Sequence, residues 1–287
     1  MKRLLQIFLI AVVALALIDV SGRLIFPRHP AVSKIIPKAE TTITIKEGWT
    51  SQDIGKYLAS IGPWTSADWF LAVGQPMNDY RANKKLPPLA DYSAQFSFLS
   101  DKPDYVGLEG YLFPDTYRVF ASSTVPEIVT KMLANFDAKL TPQMRADIKK
   151  QNKTIYQIVT MASIIEKEAP LNYQTGDNND AKIISGIFWH RLRIGQALQS
   201  DATLSYILGD TATQHSGAAL DNKSLYNTYR YGGLPPGPIG NPGILAIEAA
   251  IYPTATDYNY FLTTPDGQVV YASTYAQHLQ NKYKYLK

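Results

Sequence analysis

The run LLQIFLIAVVALALIDV, Leu4 to Val20, follows Met1-Lys2-Arg3 and is broken only by Gln6 and Asp19. A stretch this apolar either spans a bilayer, for which its 17 residues are at the short end, or is removed as an export signal. Lys2 and Arg3 hold the amino end in the cytoplasm and send the rest of the chain across. The expectation is residues 1–3 cytoplasmic, 4–20 a single-pass anchor in the plasma (inner) membrane, and the remainder extracytoplasmic. Cleavage after Ala14-Leu15-Ala16, a small-x-small site, is the alternative.

An exported domain has no ATP, which counts against phosphoryl transfer. The absence of cysteine excludes disulfides, thiolate zinc sites and cysteine nucleophiles. His29, His190, His215 and His278 stand far apart, so neither a metal nor another cofactor is expected. A net charge of +4 without a Lys/Arg stripe is too weak for a nucleic-acid partner, but suits an anionic membrane or wall polymer. The chain carries 19 Tyr, whose flat faces and polar tips suit sugars, although most tyrosines serve as ordinary core and surface residues.

Pro27, Pro30 and Pro37 mark residues 21–40 as an extended spacer. In residues 41–100, Ile43 and Ile45 alternate with Thr as in a strand. Thr50 with Asp53 opens a helix carrying Ile54, Leu58 and Ile61, and Thr65 opens a second carrying Trp69 and Phe70. This strand–helix–helix order resembles a LysM-like wall-binding module by pattern, and a small spacer domain without a ligand fits equally well. The irregular stretch 78–104, with Pro87-Pro88, is the expected boundary. Residues 105–287 then read as one domain. Helices are expected over Val125 to Asn135, Thr141 to Lys150, Ile155 to Glu168, Ile183 to Leu192 and Pro242 to Ile251. A hairpin turns at Pro265-Asp266-Gly267. The fold class is α+β.

Two glutamates end the helix in MASIIEKEAP. On a wheel with Ile155 at zero, Ile158, Val159, Ala162 and Ile165 form an apolar stripe. Glu166 falls at about 20°, inside it, and Glu168 at about 220°, facing solvent. A carboxyl on an apolar face loses hydration and holds its proton to higher pH, as a general acid requires. A frayed helix end, or a structural pairing of Glu166 with an arginine, is the alternative.

Other stretches carry sugar-compatible chemistry. GLEGYLFPDTYRV offers Glu109, Tyr111 and Asp115. HRLRIGQALQSDATLSY offers Gln199, Ser200, Asp201 and Thr203. YNTYRYGGLPPGPIGNPG offers Tyr226, Asn227 and Tyr229, followed by Pro235, Pro236 and Asn241 on a stiff Gly/Pro loop. Amides, hydroxyls and rings together suit a carbohydrate better than a phosphate.

In this order, EGYLFPDTY, ASIIEKEA, HRLRIGQALQSDATLSY, YNTYRYGGLPPGPIGNPG and the closing YNYFLTTPDGQVVYASTYAQH resemble the MltG/YceG family of endolytic murein transglycosylases, strongly over about residues 105–287 and loosely over the anchor and LysM-like part. His190, Gln196, Ala202 and Leu225 depart from the family pattern. The resemblance implies that Glu166, the first acid of E-K-E, is catalytic, and that the substrate is the peptidoglycan glycan strand. It implies cleavage of the MurNAc–GlcNAc β-1,4 bond inside nascent strands to give 1,6-anhydroMurNAc ends, terminating elongation beside the peptidoglycan synthases. A hydrolase pairing Glu166 with Asp201 or Asp115, and a non-catalytic wall-binding scaffold, are the alternatives.

Overall fold

The computed structural model describes residues 39–212 and 215–286. The expected anchor and most of the spacer lie outside them. Among the described residues no helix is long and apolar enough to cross a membrane.

Threonine sets the helix starts. Thr50, Thr65, Thr124, Thr141, Thr154 and Thr274 each accept a hydrogen bond from a backbone amide three residues on. Each satisfies one of the amides that a helix N-terminus leaves without a partner. They open α1 (Ser51–Ile61), α2 (Ser66–Val73), α3 (Val125–Lys139), α4 (Pro142–Lys150), α5 (Ile155–Glu168) and, near the end of the chain, Tyr275–Tyr285. Three further helices have no side-chain cap of their own: α6 (Asn179–Arg193), α7 (Asp201–Leu208) and α8 (Ile244–Ile251). The expected hairpin is present as β3 (Tyr260–Thr263) and β4 (Val269–Ala272), after which Tyr275–Tyr285 forms α9.

At the centre runs α5, buried continuously from Ile158 to Ile165. It packs against α8, whose Ala246, Ala249 and Ala250 are fully buried, and against α4, α6 and α7. A helix apolar on one stripe needs one neighbour, whereas α5 is covered all round. This corrects the solvent-facing assignment of Glu168. Met161 and Ile164 lie at about 240° and 180° on the same wheel, so a second apolar face flanks Glu168 and α7 packs on it.

A strand absent from the sequence reading, β2 (Thr116–Phe120), pairs antiparallel with β1 (Glu40–Thr44), in a register running from Glu40 opposite Phe120 to Thr44 opposite Thr116. Its alternation is plain in retrospect, with Tyr117 and Val119 inward and Thr116, Arg118 and Phe120 outward. Residues 41–73 form strand, helix and helix as expected, and Ala39–Lys287 is one structural unit.

Candidate active site

The Gly/Pro loop 234–243 is fixed to α5 by hydrogen bonds to the first turn and the middle of that helix. The Tyr156 hydroxyl donates to the Pro236 carbonyl (2.6 Å), and the Ser163 hydroxyl accepts from the Ile239 amide (3.0 Å). Gly110, at φ 90°, lies so close that an added Cβ would stand 2.6 Å from both Pro238 Cβ and Val159 Cγ1. Asn241, fully buried, ties three segments together. Its Oδ1 accepts from the amides of Gly110 (2.8 Å) and Leu112 (3.0 Å), and its Nδ2 donates to the Trp49 carbonyl and Glu109 Oε1, each at 2.9 Å.

The loop so held delivers Gly243, the N-cap of α8, to Glu166. Oε2 of Glu166 accepts from the Gly243 amide (3.0 Å) and the Tyr173 hydroxyl (2.6 Å). Oε1 accepts no hydrogen bond from the described residues, and it is not among the buried polar atoms sealed off without a partner. Burial pushes the Glu166 carboxyl up to about 7, and the nearby Glu47 adds to the rise. The two donors and Lys167 oppose it. Burial also raises the Tyr173 hydroxyl, with the charges of Glu166 and Glu47 adding to it, so it remains a donor. With both lone pairs of Oε2 occupied, the titrating proton belongs on Oε1, the oxygen facing out.

Glu168 serves α7 as Glu166 serves α8. Its Oε1 accepts from the Ser200 hydroxyl and the Ala202 amide, at the start of a helix with no side-chain cap. A carboxylate there answers both the unpartnered amides and the positive end of the helix dipole. Burial raises the Glu168 carboxyl as well, while Ser200 and Arg191 pull it back.

The QSDAT residues do come together. Ser200 and Thr203 are buried and bonded to Thr228. Asp201 accepts from the His215 amide (3.0 Å) and the Tyr229 hydroxyl (3.2 Å). Gln199 is exposed and held at φ 53°, a left-handed conformation that a non-glycine residue adopts only at a cost of roughly 1–3 kcal/mol. A second group joins Glu109, Tyr206 and Tyr226. The Tyr206 hydroxyl donates to Glu109 (3.3 Å), and the Tyr206 and Tyr226 rings lie 5.4 Å apart, lining a narrow recess with Tyr156 and Gly237. Pro235 is buried and Pro236 exposed on the loop between.

Other expected positions are placed elsewhere. Tyr111 is wholly in the core among Phe98 and Phe136, out of reach of a ligand. Asp115 is exposed at the start of β2, accepting from Asn135 (2.9 Å). Asn227 is fully buried. Its amide donates to the carbonyls of Leu220 and Asn222 and its oxygen accepts from the Tyr229 amide, so it shapes its own loop. Among the described residues no group of three or more His, Asp or Glu is placed to hold a metal. Sequence reasoning missed Tyr173, Gly243 and Glu47. A Gly after Pro at a helix start was a usable signal for Gly243, and nothing in the local pattern marks Tyr173.

The YceG-like family matches residues 27–284. The protein is 32% identical over 257 residues to the endolytic murein transglycosylase of Streptococcus pneumoniae serotype 2 (strain D39), covering 84% of this chain and 44% of that one. It is 36% identical over 179 residues to the endolytic murein transglycosylase of Bacillus subtilis (strain 168), covering 62% and 48%. The chain thus aligns with about half the length of these curated relatives. A 2.6 Å crystal structure of a YceG-like protein from Listeria monocytogenes superposes with a TM-score of 0.68 at 33% identity, covering 84% of this chain and 76% of that one. With a match running nearly end to end and a shared fold at this identity, the chain belongs to the YceG-like family.

Proposed function

We propose that this protein is an endolytic peptidoglycan lytic transglycosylase with Glu166 as its single acid and base. The observation that carries the reading is the asymmetry of that carboxyl: one oxygen is held by Tyr173 and Gly243, while the other is open and carries a proton up to about pH 7. Glu166 Oε1–H protonates the glycosidic oxygen as the bond from C1 of MurNAc breaks. The muramic 6-hydroxyl then attacks C1 and gives its proton back to Glu166. No water is consumed, so a second carboxylate is not needed, unlike in ordinary glycoside hydrolysis.

The names of the pneumococcal and Bacillus relatives support peptidoglycan as the substrate. The basic, apolar amino terminus supports a single-pass membrane anchor with the domain outside, working beside peptidoglycan synthases on nascent strands. The strand–helix–helix order of residues 41–73 supports a LysM-like element that holds the strand. The deciding experiment is mass spectrometry of glycan strands digested by the full-length, detergent-solubilised chain. The expected product ends in 1,6-anhydroMurNAc. Reducing MurNAc ends would replace this reading with a hydrolase, and strand binding without turnover would replace it with a scaffold.

A further inference from the structure

The turn between β1 and α1 lies in the segment that the sequence assigns to a separate module, yet it forms a wall of the candidate active site. The Gly48 amide donates to the Asn241 carbonyl (2.8 Å). An added Cβ on Gly48, which sits at φ 73°, would stand 3.3 Å from Glu166 Cγ and 3.5 Å from Lys167 Cε. At Gly243 an added Cβ would collide with the Tyr173 hydroxyl and stand 2.8 Å from Glu47 Cγ. Glu47 therefore crowds the same spot as the two donors that hold Glu166. It is exposed and makes no ion pair among the described residues.

Resting on the reading of Glu166 as proton donor, we propose that Glu47 is a positioning residue of this site. Its negative charge adds to burial in favouring the protonated Glu166 carboxyl that donates, and Lys167 pulls the other way. The remaining groups around Glu166 leave this balance to those two. Tyr173 is neutral, the one polar side chain of residues 240–243, Asn241, is uncharged and bonded to Gly110, Leu112, Trp49 and Glu109, Lys46 lies 5.8 Å from the Trp49 ring centre, and Glu248 on α8 accepts from Asn178. Burial supplies most of the rise of Glu166 to about 7. Among the charges, Glu47 reinforces it and Lys167 opposes it, as the proposal requires. The protonation state of the donor is thus set partly by a turn more than a hundred residues away in sequence.

The test is a ¹³C NMR titration of the full-length, detergent-solubilised protein labelled at glutamate carboxyls, with the Glu166 resonance assigned by its loss in Glu166→Gln. Glu47→Gln should lower the Glu166 midpoint by roughly 0.3–0.5 pH unit, and Lys167→Gln should raise it by a similar amount. Glu47→Asp, which keeps the charge, should stay near wild type. The alkaline limb of glycan cleavage should move in the same directions. A Glu47→Gln midpoint that is unchanged or higher overturns the proposal, as does an equal shift in Glu47→Asp, which would make the effect steric. Because the titration needs no substrate, its result stands apart from the functional reading. Shifted midpoints in the two variants, with a wild-type chain that cleaves no glycan, would support the role of Glu47 and reject the transglycosylase.

Discussion

Glu109, buried, and Glu166, half-buried, both have carboxyls raised to about 7, and they differ in what their oxygens touch. Around Glu109, Oε1 accepts from the Ser51 amide and Asn241, and Oε2 accepts from the Ser51 amide and hydroxyl and from Tyr206. Around Glu166, only Oε2 has donors. Burial alone therefore does not single out a catalytic acid. A carboxyl saturated on both sides is a fastening, here holding the start of α1, whereas one held on a single oxygen can pass a proton to something that arrives from outside.

The comparison breaks most visibly at Glu166. Glu166→Gln should lower turnover by roughly 10²–10⁴-fold while the chain stays folded, since Gln keeps the shape but cannot donate an acidic proton. Substantial residual cleavage by a folded variant would move the acid to another residue, with Glu168 the next to test.

At Glu109 the effect should fall on stability. Its folded-state value near 7 lies above its value in the unfolded chain, so the folded protein binds an extra proton between them. That stabilisation is complete below about pH 4 and is lost as pH rises through about 7, a difference of up to about 3 kcal/mol. Wild-type protein should therefore melt at a higher temperature at pH 5 than at pH 8. Glu109→Gln should reduce this slope, the remainder coming from Glu166, whose value is raised alike, and should leave cleavage within about threefold. An unchanged slope would show that Glu109 is not its source.

Tyr173→Phe sharpens the contrast by removing one of the two donors at Glu166. Turnover should drop roughly tenfold, about the worth of one charge-assisted hydrogen bond, and the alkaline limb should move upward because the lost donor favoured the ionised form. A downward limb would contradict the geometry. The smallest effect belongs to Asp201, whose contacts are with His215 and Tyr229. Asp201→Asn should keep turnover within about threefold, since no step uses it as a base. Abolished turnover in a folded Asn variant would favour the two-carboxylate hydrolase.

The inward position of Glu166 was legible because its helix period is regular and its stripe unmistakable. Glu168 was misread from the same wheel. Met161 and Ile164 already announced a second buried face, but a single-stripe reading assumes one neighbour. The caps at Thr50 and Thr65 were local and therefore readable. The partners of Glu166 were not. Gly243 lies 77 residues away and depends on a loop pinned by Tyr156, Ser163 and Asn241, contacts that no short-range pattern encodes. Glycan-friendly residue types were likewise legible, but not whether a side chain opens outward. Asn227 and Tyr111 have suitable chemistry and are closed off by packing.

The reach of Asn241 bears on when the site comes into being. Its bond to Trp49 closes 192 residues of chain, and β1 meets β2 across 72. Loops of this length close late, because their ends must find one another before any contact compensates the lost chain entropy. During synthesis at roughly 5–20 residues per second, β1 waits several seconds for β2, and Glu166 emerges well before Gly243. Until that amide arrives, α8 has no start and the carboxyl is held by Tyr173 alone. A partly made chain thus carries the carboxyl without the full setting that aims it, and that setting is complete only when the last third of the domain has folded onto the first.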